Sequence, residues 1–404
     1  MLDGFADEGF ADVWTPVAMS KEVGKAPHAL TLAGERLVLF RDPEGRVSAL
    51  HDQCPHRGVK LSLGKVGKDG CLECPFHGWR FASSGACTHI PLNPMSEEKV
   101  ELGRFLFYDE RLSGNGTMSC ASCHEQQRAF SDAKVTPSGS TGHAVPRNSP
   151  GLANVAYLST YTWANPVLDT LEKQALVPLF AETPLELGMG TRLEEVLQRF
   201  REDAHYPTLF REAFPDDKEP IHQDNIVKAL ASFQRTMLSG NSPYDRYLQG
   251  EATALSPAAK RGMELFFGER AECYHCHSGP HQTNSFRSKD TKLSERDFQN
   301  TGLYNVDGLG AYPVNNTGLF EFTNNPKDMG RFRVPPLRNV TLTAPYMHDG
   351  SLATLWDVMD HYNKGGIANP FLDGGMQRLG LTEAEIDDVV AFLFTLTDER
   401  YTKL

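Results

Sequence analysis

The sequence contains no apolar run that approaches the roughly 20 residues needed to cross a bilayer, which predicts no membrane insertion. Basic residues are also in deficit, because 40 Lys and Arg face 52 Asp and Glu, giving a net charge of −12. Nucleic-acid binding needs concentrated positive charge, so nucleic acid is not an expected partner. Residues 1–20 are acidic without an apolar core, and the chain has no twin arginine, so no export signal is predicted.

Cysteine is scarce too, with eight in 404 residues, and six of these lie in short Cys/His patterns typical of metal or haem binding. The remaining two, Cys71 and Cys87, are expected to be packed free thiols. With 40% hydrophobic residues the chain is globular, and it is too long for one ordinary core.

The pattern of the chain changes near residues 91–94. Before this point short β-like runs alternate with Gly, Asp and Pro turns, which predicts a small all-β domain. Afterwards the pattern predicts helices, and a Cys-x-x-Cys-His element occurs twice, which predicts two mainly α, cytochrome c-like domains. We therefore expect a multidomain protein with boundaries at 1–94, 95–250 and 251–404. Four helices are predicted over 193–200, 225–238, 256–267 and 382–396.

Two Cys-His pairs lie in the N-terminal part, as Cys54-Pro-His56 and Cys74-Pro-Phe-His77. Each pair supplies one thiolate and one imidazole from a tight loop. A Rieske [2Fe-2S] cluster uses this ligand set, with two Cys on one iron and two His on the other. Structural zinc also accepts two Cys and two His, and remains the alternative from the ligands alone.

The residues around these pairs resemble the Rieske ferredoxin domain of ring-hydroxylating oxygenases over about residues 12–93. Val59 and Phe76 stand where respiratory Rieske proteins carry an extra disulfide, which implies a potential at the low end of the range, about −150 mV. The oxygenases continue into an iron domain with two histidines five positions apart. Only His51 and His56 have that spacing here, so ring hydroxylation is not expected.

The repeated Cys-x-x-Cys-His element has the spacing of covalent c-type haem attachment, in which the His is an axial iron ligand. A thiol redox pair or a zinc site is the alternative for a single Cys-x-x-Cys. The elements, called here the first and the second haem motif, are Cys120-Ala-Ser-Cys123-His124 and Cys273-Tyr-His-Cys276-His277.

The surrounding sequence is similar to the di-haem cytochrome c peroxidase and MauG family over roughly residues 98–400. The matching stretches are 107–113, 146–150, 334–340 and 343–350. The resemblance implies that the first haem reacts with peroxide and that the second handles electron transfer or charge storage.

Several residue roles follow from this resemblance by position. Trp163 matches the tryptophan between the haems, although the Trp-Asp-Gly-Arg context of the family reads Trp-Ala-Asn-Pro here. Glu186 matches the distal carboxylate that moves a proton between the oxygens of peroxide, with Glu182 as a rival. Tyr362 matches the second axial ligand of the second haem, which is Met in the peroxidases and Tyr in MauG-like members. Met359 and Met347 compete with it.

The resemblance also implies a Ca²⁺ ion held by the side chain of Asn148 and the backbone carbonyls of Thr343 and Pro345. His143 lies in the loop where some peroxidases place a displaceable distal histidine, and a solvated loop histidine is the favoured reading.

The leading functional hypothesis is a peroxidase that reduces hydrogen peroxide with electrons from its own Rieske cluster, loaded by an unknown external donor. The first alternative is a MauG-like oxidase acting on aromatic residues of a partner protein. The second is a redox relay or peroxide sensor without turnover. Covalent c-type haem implies a periplasmic location.

Overall fold

The computed structural model describes residues 16–54, 59–75, 79–85, 87–89, 95–287 and 297–402. Its contacts divide the chain into two units, of which one ends at Glu97 and the other begins at Glu98. Strands build the first unit, and the second consists mainly of helices. Within the described ranges, no helix is both long and apolar enough to span a membrane.

The first unit contains two antiparallel sheets, in which neighbouring strands follow chain order. The two-residue turn between the first two strands has left-handed φ at Ala33 and Gly34 (49° and 85°), the geometry that suits the twist of a tight hairpin. The expected small all-β domain is therefore confirmed. Its strands are β1 (His28–Leu32), β2 (Glu35–Arg41), β3 (Val47–His51), β4 (Lys65–Val66), β5 (Leu72–Glu73), β6 (Arg80–Phe81) and β7 (Cys87–His89).

The central strand β2 carries the most buried side chains of the first sheet, among them Val38 and Phe40. In the second sheet, Leu72 on β5 and Phe81 on β6 are buried directly opposite each other. Burial of side chains of this size contributes about 1.5–3 kcal/mol each. The core of this unit thus lies under its central strands.

The second unit is mainly helical, as the sequence predicts. Each of the four predicted helices is present, and the largest difference is at the second of them, which begins at Gln223 and ends at Gln234. The helices are α1 (Glu97–Tyr108), α2 (Leu171–Phe180), α3 (Leu193–Arg201), α4 (Tyr206–Ala213), α5 (Gln223–Gln234), α6 (Pro243–Leu248), α7 (Pro257–Phe267), α8 (Phe320–Thr323), α9 (Leu355–Asn363) and α10 (Glu383–Phe394). One small antiparallel pair, β8 (Phe298–Gln299) with β9 (Phe332–Arg333), completes the unit.

Two helix pairs in this unit meet at a glycine. A Cβ at Gly103 of α1 would lie 2.0 Å from the carbonyl oxygen of Ala229 in α5. A Cβ at Gly262 of α7 would lie 1.8 Å from the carbonyl oxygen of Asp388 in α10. Only glycine permits backbones to approach this closely. The arrangement thus occurs twice, although the predicted boundary near residue 250 stays a prediction.

A second repeated feature involves two buried asparagines with the same backbone conformation, φ 60° and ψ 19°. The side-chain oxygen of Asn154 accepts a hydrogen bond from the backbone N–H of Ser239 (3.0 Å), just beyond α5. That of Asn339 accepts one from the N–H of Asp398 (2.8 Å), just beyond α10. Each asparagine therefore joins its loop to the chain that follows a helix, α5 for Asn154 and α10 for Asn339.

Candidate redox centres

The two Rieske cysteines lie in loops that close in the same way. The N–H of Cys54 donates to the carbonyl of Val59 (2.8 Å), and the N–H of Cys74 donates to the carbonyl of Trp79 (2.7 Å). In both loops the acceptor is five residues further along the chain. Both thiols are buried, as cluster ligands must be, while the predicted partners His56 and His77 lie outside the described residues.

The remaining cysteine that the structure describes in this unit, Cys71, is half-buried, and its sulfur accepts a hydrogen bond from the hydroxyl of Thr88 (3.4 Å). No disulfide joins any two of the seven cysteines whose side chains are described. Cys71 is therefore a packed thiol, as predicted, and the side chain of Cys87 lies outside the description.

The first haem motif opens with a tight turn over Cys120–Ser122, in which the N–H of Ser119 donates to the hydroxyl of Ser122 (3.1 Å). The Nδ1 of His124 lies 2.7 Å from the carbonyl oxygen of Phe130. Because a carbonyl can only accept, Nδ1 carries the proton and the lone pair of Nε2 is available for iron.

The second haem motif repeats this geometry, with a turn over Cys273–His275 and 2.9 Å between Nδ1 of His277 and the carbonyl oxygen of Gln282. Burial lowers the pKa of His277 to about 4 and also lowers the pKa of His124, so both imidazoles are neutral, as ligation requires. The residues at both motifs thus fit a covalently attached haem.

Each proximal loop is held by a hydroxyl in the equivalent place. Immediately after the carbonyl acceptor of the first loop, the hydroxyl of Ser131 donates to the carbonyl of Ser149 (2.8 Å). In the second loop, the hydroxyl of Thr283 donates to the carbonyl of Val334 (2.7 Å). Ser131 and Thr283 therefore occupy corresponding positions.

The backbone repeats the correspondence. The N–H of Leu152 donates to the carbonyl of Ala129 (3.1 Å), and the N–H of Leu337 donates to the carbonyl of His281 (3.2 Å). Both acceptors directly precede the residue whose carbonyl binds the imidazole. Two loops of different sequence thus share one hydrogen-bond frame. It fixes the correspondence around the carbonyl acceptor, although the first loop is one residue longer between the histidine and that acceptor.

Glu186 is half-buried, and burial raises its pKa to about 7. Burial also raises the pKa of Cys120 and of Cys123 to about 12, with a smaller contribution to each from the Glu186 carboxylate. The structure therefore brings Glu186 to the first haem motif. Its rival, Glu182, is exposed to solvent.

Tyr362 lies in the last turn of α9, near the second haem motif. Burial raises the pKa of its phenol, and the sulfurs of Cys276 and Cys273 add to the rise. Of the competing methionines, Met347 packs beside Trp163. Met359 is buried in the core cluster against which Cys273 also packs. Both cysteines of the second haem motif thus act on the phenol of Tyr362.

Trp163 is 8% exposed, and its indole N–H donates to the backbone carbonyl of Asn148 (2.7 Å). Its ring meets that of His348 edge to face, with centroids 6.5 Å apart. His348 in turn stacks on Phe332, with centroids 3.6 Å apart. The indole is thus fixed in one orientation inside an aromatic cluster, of which sequence reasoning named only Trp163.

The predicted calcium residues come from two segments that meet. The N–H of Asn148 donates to the carbonyl of His348 (2.8 Å), and a Cβ at Gly151 would lie 3.3 Å from the Thr343 side chain. The side-chain amide of Asn148 donates to the carbonyl of Lys134 (2.7 Å), which leaves its oxygen as the possible ligand. Calcium held by Asn148, Thr343 and Pro345 stays a prediction.

No group of three or more His, Cys, Asp or Glu side chains that could hold a metal ion occurs in the part of the chain that the structure describes. His143 is exposed, and its Nδ1 lies 3.0 Å from the hydroxyl of Thr141, which agrees with a solvated loop histidine.

A buried residue that the sequence analysis missed is Asp132, eight positions after His124. The repeat of the two proximal loops is the signal that singles it out.

Comparison with known proteins accounts for both units. The family model described as Rieske [2Fe-2S] domain matches residues 13–100, and that described as di-haem cytochrome c peroxidase matches residues 97–253. The methylamine utilization protein MauG of Methylorubrum extorquens is 37% identical over 320 residues, which cover 79% of this chain and 84% of that protein.

This chain belongs to the di-haem cytochrome c peroxidase and MauG family. A cytochrome-c peroxidase of Denitromonas iodatirespirans is 36% identical over 370 residues, covering 84% of this chain and 93% of that protein. The crystal structure of a MauG-like protein associated with microbial copper homeostasis is 50% identical, with a TM-score of 0.75, and covers 77% of this chain and 93% of that one. The chain is thus an oxidoreductase that joins a Rieske domain to a di-haem unit.

Proposed function

We propose that this member of the family reduces hydrogen peroxide to two molecules of water, using two protons and two electrons that arrive through its own Rieske cluster. The observation that carries the proposal is the half-buried Glu186 beside the first haem motif, with a pKa of about 7. The Rieske match in the same chain supports an internal supply of electrons.

Bound haem, held by the thiols and the imidazoles of the two motifs, supplies the iron at which peroxide is reduced. Near neutral pH Glu186 exists in both protonation states, so it can take a proton from one oxygen of peroxide and return it to the other. Trp163 is held by the Asn148 carbonyl in a fixed orientation, which suits an electron relay. Tyr362 would ligate the second haem, and Asn148, Thr343 and Pro345 would hold Ca²⁺.

The Rieske domain that supplies electrons and the haem unit that reduces peroxide belong to one chain, so delivery of electrons is intramolecular. Tethering raises the effective concentration of the donor to the millimolar range. Cys54, His56, Cys74 and His77 would hold the cluster. Such a cluster would carry one electron at a time, so an external donor would have to supply it twice for each peroxide. Covalent haem favours the periplasm as the location, and the domains would span 1–94, 95–250 and 251–404.

A single-turnover experiment tests the proposal. The cluster of the full chain is reduced, excess reductant is removed, and hydrogen peroxide is added while the electron paramagnetic resonance signal of the reduced cluster is followed. We expect rapid loss of the signal after peroxide is added, because each reduced cluster passes its single electron to the peroxide site of its own chain. In the Cys54→Ser variant, which removes a cluster ligand, sustained turnover should be lost, whereas Cys71→Ser should behave as the parent protein. A cluster that stays reduced in the presence of peroxide contradicts the proposal.

A second candidate is a MauG-like oxidase that withdraws electrons from aromatic residues of a partner protein. The position of Tyr362 beside both thiols of the second haem motif favours it, as do the relatives named MauG. In that case peroxide consumption would require the partner protein and would continue in Cys54→Ser. Mass spectrometry would then find oxidised aromatic residues in the partner.

A further inference from the structure

Asp132 is a carboxylate at the first proximal loop with only 3% of its surface exposed. One of its oxygens accepts a hydrogen bond from the backbone N–H of Lys134 (3.1 Å). The other, Oδ2, is buried and has no hydrogen-bond partner among the residues that the structure describes. A buried charge that is only half satisfied is costly, so its retention calls for a function.

Asp132 belongs to the loop that orients the imidazole of His124. It lies two residues after Phe130, whose carbonyl oxygen is 2.7 Å from Nδ1 of His124, and one residue after Ser131, whose hydroxyl donates to the carbonyl of Ser149 (2.8 Å). The charge of Asp132 acts to raise the pKa of His124, against the larger effect of burial, which agrees with this placement. The buried carboxylate is therefore held in the loop of the first haem motif.

The shared hydrogen-bond frame identifies the counterpart of Asp132 in the second half. Because Ser131 corresponds to Thr283, Asp132 corresponds to Asn284, a neutral side chain of almost the same shape. No charged group of the described chain shifts the pKa of His277.

Carboxylates are not wholly absent from the second half. The side-chain amide of Asn284 donates to the carboxylate of Asp297 (3.3 Å). Asp297 is exposed to solvent, whereas Asp132 is buried. The difference between the halves is therefore a buried carboxylate at position 132 and a neutral amide at position 284.

We propose that Asp132 is a positioning residue that sets the potential of the first haem, and that the Asp132/Asn284 pair makes the two haem sites electrically unequal. A negative charge close to the iron in a poorly solvated site stabilises the ferric over the ferrous state. The first haem would therefore be ferric in the resting protein, and the ferric state is the one that reacts with peroxide. The inference depends on haem attachment at both motifs and not on which substrate is reduced.

The test is a spectroelectrochemical titration of the full chain with both haems attached and without peroxide. The haems are assigned from the His124→Met and His277→Met variants, which each change one axial ligand. In Asp132→Asn, which can still accept from the N–H of Lys134, the ferrous-to-ferric ratio of the first haem at fixed potential should rise at least tenfold, or 59 mV. The second haem should not shift, and Asp132→Glu should titrate as the parent protein.

Equal shifts of both haems, or no shift of the first, overturn the proposal. If Asp132→Asn fails to retain haem, the double variant Asn284→Asp/Asp297→Asn provides the test, because Asn284 donates to the Asp297 carboxylate (3.3 Å) and two carboxylates there would share a proton. Relative to Asp297→Asn alone, its second haem should become harder to reduce while the first is unchanged, and an unchanged second haem would overturn the proposal. Because neither titration uses peroxide, failure here is distinguishable from failure of the proposed peroxidase reaction.

Discussion

At the scale of single residues, the chemistry depends most on Glu186, because burial raises its pKa to about 7. Below this pH the carboxyl is neutral and cannot accept a proton from peroxide. We therefore predict that the rate of peroxide consumption rises with pH through about 7 and then levels off. Glu186→Gln should lower the rate by about 10²- to 10⁴-fold and abolish this dependence.

Steady-state assays between about pH 5 and 9 provide the measurement. Glu182→Gln, at the exposed carboxylate nearby, serves as the control and should keep both the rate and its pH dependence. Equal losses in the two variants would argue against a proton-transfer role for Glu186.

Tyr362 gives a second prediction at this scale. Replacing a phenolate ligand with a thioether raises the potential of a haem, because the thioether favours the reduced iron. Tyr362→Met should therefore make the second haem easier to reduce in a redox titration, and Met359→Leu should not. If Met359→Leu shifts the potential and Tyr362→Met does not, the assignment of the ligand is wrong.

The sequence was most informative where a residue is bound covalently or sits at a fixed spacing. Cys120 and Cys273 could be found in this way, because thioether attachment permits little variation in spacing. Asp132 could not be found in this way. What distinguishes it is that its carboxylate is buried and that its Oδ2 atom has no hydrogen-bond partner among the described residues, and both features depend on residues distant in the chain.

At the scale of elements, α7 and α10 approach each other closely at Gly262. We predict that Gly262→Ala lowers the free energy of unfolding by about 1–3 kcal/mol, because the new methyl group would overlap the Asp388 carbonyl and push the helices apart. Thermal and urea unfolding measure the loss. Gly374→Ala is a matched control, since a Cβ there meets nothing within 4 Å. Equal stability of the two variants would show that the helices separate without cost.

Two of the predicted helices, α7 and α10, begin after a residue whose side chain caps the backbone. The hydroxyl of Ser256 accepts from the N–H of Ala259 (3.1 Å), and that of Thr382 accepts from the N–H of Glu385 (3.3 Å), so both starts are encoded locally. The pair formed by β8 and β9 was not predicted. Each of these strands has two residues, and the partners lie more than 30 positions apart in the chain, so no local pattern marks them.

At the scale of the whole molecule, the net charge of −12 should govern how small reductants approach. Attraction between opposite charges raises association rates and is screened by salt. We predict that reduction by a cationic one-electron reductant slows as ionic strength rises, whereas reduction by an anionic one accelerates. Stopped-flow kinetics over a range of salt concentrations measures how the rate constant of each reductant changes with ionic strength. If both rate constants change in the same direction, a local charged patch, and not the total charge, controls the approach.

The order of the modules could be predicted from the sequence, since the Rieske pairs and the haem motifs occupy separate stretches of chain. The correspondence between the two halves of the haem unit could be predicted only in outline. Apart from Cys-x-x-Cys-His the proximal loops differ in sequence, and every acceptor in the hydrogen-bond frame they share is a backbone carbonyl.

Both axial histidines are oriented by a main-chain carbonyl, at Phe130 in one half and at Gln282 in the other. A substitution changes a side chain but leaves the carbonyl in place, so mutation at these two positions cannot readily release either imidazole. The two halves of the haem unit can therefore differ in sequence while the orientation of both imidazoles stays the same. Natural variation would be left to act on the surroundings, and relatives should differ more in the charges around their haems than in the way the haems are held.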